Sequence, residues 1–108
     1  MNVRINAKQV SLFAIFILLT LTLTLNHAYA TTIPVGTHPT EVAYDPHVNE
    51  IFVSNFRSNT VSVISDTTNK ITATINVGSY PHGVAFDSNK GEVFVANNVS
   101  GTISMLPG

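Results

Sequence analysis

Cysteine and tryptophan are absent, charge is scarce, and no stretch after residue 30 has a helical period. Without cysteine there are no disulfides and no thiolate metal sites, and cysteine usage says nothing about compartment. Charged residues make up only 10% of the chain and the formal net charge is −1. The few lysines and arginines form no run, which disfavours nucleic acid as a partner, because phosphate binding needs clustered cations. No G-x-S-x-G element, P-loop or dinucleotide fingerprint occurs. A chain of 108 residues holds one domain at most, and without disulfides a small core has few reinforcements.

What is present begins with an address. Met1–Lys8 is short and polar with Arg4 and Lys8, Val10–Leu25 is mainly apolar, and Asn26-His27-Ala28-Tyr29-Ala30 follows. A basic start, an apolar run and an A-x-A ending are the three parts of a secretory signal peptide. Cleavage is expected after Ala30, with Ala28 and Ala30 as the small residues that the peptidase pocket admits. The apolar run of 16 residues is shorter than the ~20 that span a bilayer as a helix. Membrane contact is therefore expected only through this segment, if it stays uncleaved, and the remaining chain is expected to be secreted or at the cell surface. That remainder, residues 31–108, is mildly acidic: Arg57, Lys70 and Lys90 stand against Glu41, Asp45, Glu50, Asp66, Asp87 and Glu92.

The rest of the chain is organised by an internal repeat. Glu50-Ile51-Phe52-Val53-Ser54-Asn55 returns 42 residues later as Glu92-Val93-Phe94-Val95-Ala96-Asn97. Laid without a gap from Ile33–Ile64 onto Ile75–Leu106, 14 of 32 pairs are identical, which chance does not produce. A period near 40 marks a solenoid, a propeller or an array, and short strands decide among them. The segments rich in β-branched and aromatic residues between turn formers predict strands at Glu41–Asp45, Glu50–Ser54, Thr60–Ser65, Lys70–Val77, Gly83–Asp87, Glu92–Ala96 and Thr102–Leu106. Four short strands in about 40 residues make one propeller blade. The predicted fold is all-β, with repeat one over residues 33–74 and an incomplete repeat two over residues 75–108. Gly36 and Gly78 are expected to supply positive φ where one repeat passes into the next. Pro39 and Pro81 should stiffen that crossing. Asn59 and Gly101 tolerate left-handed backbone in the second hairpin. Phe52/Phe94 and Val53/Val95 should fill the space between packed sheets.

These residues resemble the YVTN-type β-propeller repeat. The motifs are Pro81-His82-Gly83-Val84-Ala85-Phe86-Asp87, Ile51-Phe52-Val53-Ser54-Asn55, Asn59-Thr60-Val61-Ser62-Val63-Ile64-Ser65-Asp66 and Ala73-Thr74-Ile75-Asn76-Val77-Gly78. The hallmark Tyr-Val-Thr-Asn reads Phe-Val-Ser-Asn and Phe-Val-Ala-Asn here. The resemblance covers residues 33–106 and implies secreted or surface-layer-like prokaryotic relatives with about seven blades. Two blades do not close a ring, so three readings stand. The chain is a fragment of a longer propeller, several copies assemble one ring, or it persists as an open pair of sheets. Thr32–Val35 matches Thr74–Val77, so an N-terminal strand is able to complete a blade left open elsewhere.

Candidate chemistry is sparse. His38 and His82 near the repeat-entry loops are the candidate metal ligands. Neither recurs and no carboxylate accompanies them at a telling spacing, so no metal site and no cofactor is expected. Asp45 and Asp87 recur before turns and are read as turn caps rather than calcium ligands. Glu50 and Glu92 are read as strand-edge charges that discourage aggregation rather than an acid/base pair. Asn98-Val99-Ser100 is a glycosylation sequon on an exposed hairpin. The expected function is an extracytoplasmic, non-enzymatic binding or cell-surface structural module with an extracellular ligand or protein as partner. The alternatives are a secreted propeller enzyme of lactonase, lyase or redox type, or its remnant, and a sugar-binding homo-oligomer that closes a ring. For the enzyme, His38, His82 and Glu41 are the polar residues at hand.

Overall fold

A computed structural model describes residues 28–108. The expected signal sequence lies almost entirely outside these residues; Ala28 and Ala30, at its end, are exposed and belong to no helix or strand. Thr32–Gly108 forms one compact unit. No helix of the described residues is long and apolar enough to cross a membrane.

The unit is all-β and contains seven strands: β1 (Pro39–Asp45), β2 (Glu50–Asn55), β3 (Thr60–Ser65), β4 (Ile71–Asn76), β5 (Pro81–Asp87), β6 (Glu92–Asn97) and β7 (Thr102–Pro107). They form two antiparallel meanders, a four-stranded sheet β1-β2-β3-β4 and a three-stranded sheet β5-β6-β7. Residues 32–35 carry no strand. The β1–β2 and β2–β3 ladders of the first sheet are repeated in the second at the same offset, as with Phe52↔Val63 and Phe94↔Met105, while the β3–β4 ladder has no counterpart there. The β1–β2 and β5–β6 ladders both carry an irregularity near their start, beside Pro39 and Pro81. Proline has no N–H to donate and is tolerated in a ladder at such a bulge.

Alternation along the strands divides each sheet into two faces. Phe52, Val61 and Val63 on one face of the first sheet pack with Val93, Val95 and Leu106 of the second, and Ile75, Val77, Val84 and Phe86 close around them. Val53 is buried too, but on the opposite face of the first sheet and outside this cluster. Phe94 fills no such space and is only half-buried, because it lies on the outer face of the second sheet. A hydrogen-bonded clamp joins the sheets. The Ser54 hydroxyl donates to the His82 carbonyl at 2.7 Å, and the Thr40 hydroxyl donates to the same oxygen at 3.1 Å.

The polar residues that recur form a second framework inside each sheet. Asn55 is fully buried at the end of β2. Its Oδ1 accepts from Gly36 N at 3.1 Å, and its Nδ2 donates to Thr60 Oγ1 at 3.1 Å and Ser62 Oγ at 2.9 Å. Asn97 makes the same three bonds to Gly78, Thr102 and Ser104 at the same distances. Ser58 Oγ accepts from Thr37 N at 2.6 Å, as Ser100 Oγ does from Ser79 N. A net hydrogen bond is worth about 1 kcal/mol, and full burial of a valine about 1.5–3 kcal/mol. Each asparagine hub therefore weighs as much as one core side chain.

Two further sequence expectations need correction. Gly36 and Gly78 do not have left-handed backbone; the positive-φ glycines are Gly91 and Gly101. Gly36 and Gly78 are required for space, since a Cβ on either would lie 2.6 Å from the asparagine Cγ. Glu50 and Glu92 do not protect sheet edges, because β2 and β6 are interior strands of their sheets; both stand at strand ends beside turns. Other expectations are met. Asn59 and Gly101 have φ of 56° and 65°, and Asp45 and Asp87 cap their turns through His47 N and Asn89 N at 2.8 and 2.9 Å.

Candidate functional site

The turns gather at two rims. One rim holds the starts of β1 and β5, the β2–β3 and β6–β7 turns and the crossing from β4 to β5. Its backbone follows one plan in both repeats. His38 and Tyr80 precede prolines, where extended backbone is the norm, yet both have left-handed φ, 55° and 54°. Tertiary bonds hold them there. Phe56 N donates to His38 O and Asn98 N to Tyr80 O, both at 2.9 Å, while Arg57 N and Val99 N donate to Thr37 O and Ser79 O. Asn59 Oδ1 also accepts from Tyr80 N at 2.9 Å.

The side chains presented by this plan differ between the repeats. Beside the crossing, the Tyr80 ring lies 4.8 Å from the Phe56 ring at a 43° tilt. The His82 imidazole meets Phe56 edge-on at 6.2 Å. Tyr80 is 39% exposed, and His82 and Arg57 are exposed. The trio is a partly wet aromatic surface with a cationic neighbour in sequence. Such residues supply large contact area at low cost in side-chain entropy. Sequence reasoning missed the trio because Phe56, Tyr80 and His82 have non-aromatic or non-matching counterparts in the other repeat, so the internal alignment gave no signal.

The structure places His38 and His82 on this same rim, on either side of Phe56: one through its carbonyl, the other through its ring. Among the described residues no group of three or more His, Cys, Asp or Glu side chains gathers as a metal-holding cluster. Asn98 is exposed in the β6–β7 turn. The hydroxyl of Ser100, the third residue of its sequon, accepts from Ser79 N. Glu41 follows Thr40, whose hydroxyl donates to the His82 carbonyl. It borders an open groove of about 360 Å³ lined by Gly83, Ala85, Phe94, Ala96 and Ile103 on the outer face of the second sheet.

The opposite rim is acidic. Asp45 is fully buried; its Oδ1 serves the turn, and His47 Nδ1 lies 3.6 Å from it. The His47 ring packs edge-on against Phe86 at 5.6 Å. The Tyr44 hydroxyl donates to Asp66 Oδ2 and Asn49 Oδ1, both at 3.3 Å. Desolvation, then the nearby Asp66 carboxylate and its hydrogen bond, and lastly Asp45 push the Tyr44 phenol above its ordinary value of 10.0. A folded-state value above the unfolded one means that the contribution is complete below pH 10 and is lost as pH rises through the raised value. The ultraviolet difference titration between the wild type and Tyr44→Phe is therefore expected to show a phenol with its midpoint above 10.0. A midpoint at or below that value would refute the pairing with Asp66.

Neither a family model nor a curated protein matches the chain. Among solved structures the chain is similar to a hydrazine synthase of Kuenenia stuttgartiensis. Identity is 20% over 76% of this chain and 24% of that one, with a TM-score of 0.62. It also aligns with a functionally unknown protein of Desulfotomaculum acetoxidans, at 22% identity over 66% of this chain and 26% of that one, with a TM-score of 0.47. The chain spans about a quarter of the length of either. At such identities the first likeness is one of β-rich fold alone.

Proposed function

We propose that the two sheets are successive blades of a propeller built on YVTN-type repeats. In this reading the chain acts outside the cytoplasm as a binding or cell-surface structural module, without chemistry of its own. One observation carries the reading. Five of the six polar pairs that recur unchanged, Asn55/Asn97, Ser58/Ser100, Thr60/Thr102, Ser62/Ser104 and Asp45/Asp87, are engaged in holding turns and strands, Glu50/Glu92 being the exception. The variation between repeats is displayed instead at the rim with Phe56, Tyr80 and His82, as expected of a scaffold whose specificity lies in its loops. The signal-like N-terminal segment supports the extracytoplasmic assignment.

The test is retention of the purified chain on immobilised envelope polysaccharides and surface proteins of its host, beside a panel of lactone, polysaccharide-lyase and redox substrates. Retention is expected. Tyr80→Ala is expected to weaken it about tenfold or more, as loss of an aromatic anchor does, with the far-ultraviolet spectrum unchanged. Turnover of a substrate without stable retention would overturn the reading.

A further inference from the structure

The two outer faces of the sheet pair are the same two faces that meet inside it. Within the chain, Phe52, Val61 and Val63 are 1%, 0% and 3% exposed under the second sheet. Their repeat counterparts are Phe94, Ile103 and Met105. Phe94 is half-buried, and Ile103 and Met105 are 61% and 66% exposed. The reverse holds on the first sheet. Val84 and Phe86 pack against the core, whereas their counterparts Val42 and Tyr44 are 64% and 45% exposed. Asp45 is wholly buried but Asp87 only half so. On the first sheet's outer face Val53 and Ile64, the counterparts of Val95 and Leu106, are already buried at 5% and 4%, so its open part is the β1 side; exposed apolar surface marks an interaction site.

We infer that the Phe94–Ile103–Met105 face is a docking surface for the Val42–Tyr44 face of a second copy of this chain, joined head to tail. The occupant follows from the internal interface. The intramolecular interface is a worked example of what these sequences cover, and the chain carries both halves of a second such interface. The contact is heterologous, so a finite particle with no face left open requires the contacts to close into a ring, which two copies reach with four sheets and three with six. It also lacks one element of the internal interface. Ala96 stands where Ser54 donates to the opposing carbonyl, so the copy-to-copy contact forms without that clamp. The inference rests on the sheets stacking as blades, but not on the ligand of the rim; loss of rim binding leaves it standing.

The experiment is native mass spectrometry with light scattering on the full chain, expressed in an exporting host, with Val42→Glu and Met105→Glu as variants. Both substituted positions are exposed, and circular dichroism checks that each variant keeps its β-sheet. The wild type is expected as a discrete closed particle of two or more chains, and each variant alone as a monomer. A mixture of the two variants is expected to give a one-to-one dimer, because one intact head and one intact tail remain. Ala96→Ser is expected to tighten assembly about fivefold. A monomeric wild type, a particle that only one of the two glutamates disrupts, no pairing in the mixture, or aggregation insensitive to either glutamate would overturn the inference.

Discussion

Asn55→Ala is expected to lower the stability of the folded unit by about 3–4 kcal/mol, more than any other single substitution of a polar side chain here. The asparagine makes three bonds, to Gly36 N, Thr60 Oγ1 and Ser62 Oγ. Alanine leaves all three partners without it. Ser62 is 2% exposed and has poor access to replacement water, so it bears the larger share, about 1–3 kcal/mol for an orphaned buried group. Gly36 and Thr60 are half-buried and recover part of their loss by hydration. Asn97→Ala removes the same three bonds but should cost less, about 2 kcal/mol, because Thr102 is exposed and Ser104 half-buried. A domain typically has about 5–15 kcal/mol in total, so the first substitution takes a large part of it. Urea titrations followed by circular dichroism on the full chain check this. Equal losses at the two sites, or a loss under about 1 kcal/mol at Asn55, would show that the hubs are not what holds the repeat.

The contrast between those hubs and the strands shows what a sequence displays. All seven strands were legible, with ends within two residues of the observed ones. The largest shifts, at Pro39 and Pro81, have a physical cause. A proline at a strand start looks like a boundary, but pairing resumes beyond the irregularity and reaches Asn55 and Asn97. The turn caps and the left-handed Asn59 and Gly101 were legible too, because each depends on residues close in sequence. The asparagine hubs were not recognised. Their partners lie 19 residues before and 5 and 7 residues after, and no local rule links such separations. A signal existed, since Gly, Asn, Thr and Ser recur together at one offset, but identity between repeats does not say which recurring residues touch. At the rim even that signal fails. The left-handed backbone of His38 and Tyr80 recurs while their side chains do not, and the Phe56–Tyr80–His82 cluster exists only where the two repeats meet.

Gly78→Ala is expected to cost about as much as removing the hub itself, and Gly36→Ala more than Gly78→Ala, for a reason unrelated to backbone freedom. At Gly78 an added Cβ would lie 2.6 Å from Cγ and 2.8 Å from Cβ of Asn97; at Gly36 the same atoms of Asn55 would lie at 2.6 and 2.8 Å. Carbon atoms do not approach so closely, so the asparagine must move, and its three bonds go with it. The cost is about 2 kcal/mol or more at Gly78 and about 3 kcal/mol or more at Gly36. Gly91 and Gly101 are the informative controls. Both have positive φ, 67° and 65°, but a Cβ there meets nothing within 4 Å. Alanine at either should cost only the left-handed strain, about 1–2 kcal/mol. Asparagine should cost less still, because Asn49 and Asn59 occupy the matching places in the first repeat with φ of 54° and 56°. Melting curves of Gly36→Ala, Gly78→Ala, Gly91→Ala and Gly91→Asn therefore have a fixed expected order of loss, with the first two far apart from the last two. Adding Asn55→Ala to Gly36→Ala should cost less than the sum of the two, since the same three bonds are lost only once. If Gly91→Ala proves as damaging as Gly78→Ala, or if Gly36→Ala and Asn55→Ala are additive, the close approach of glycine and asparagine is not what the repeat preserves at these positions.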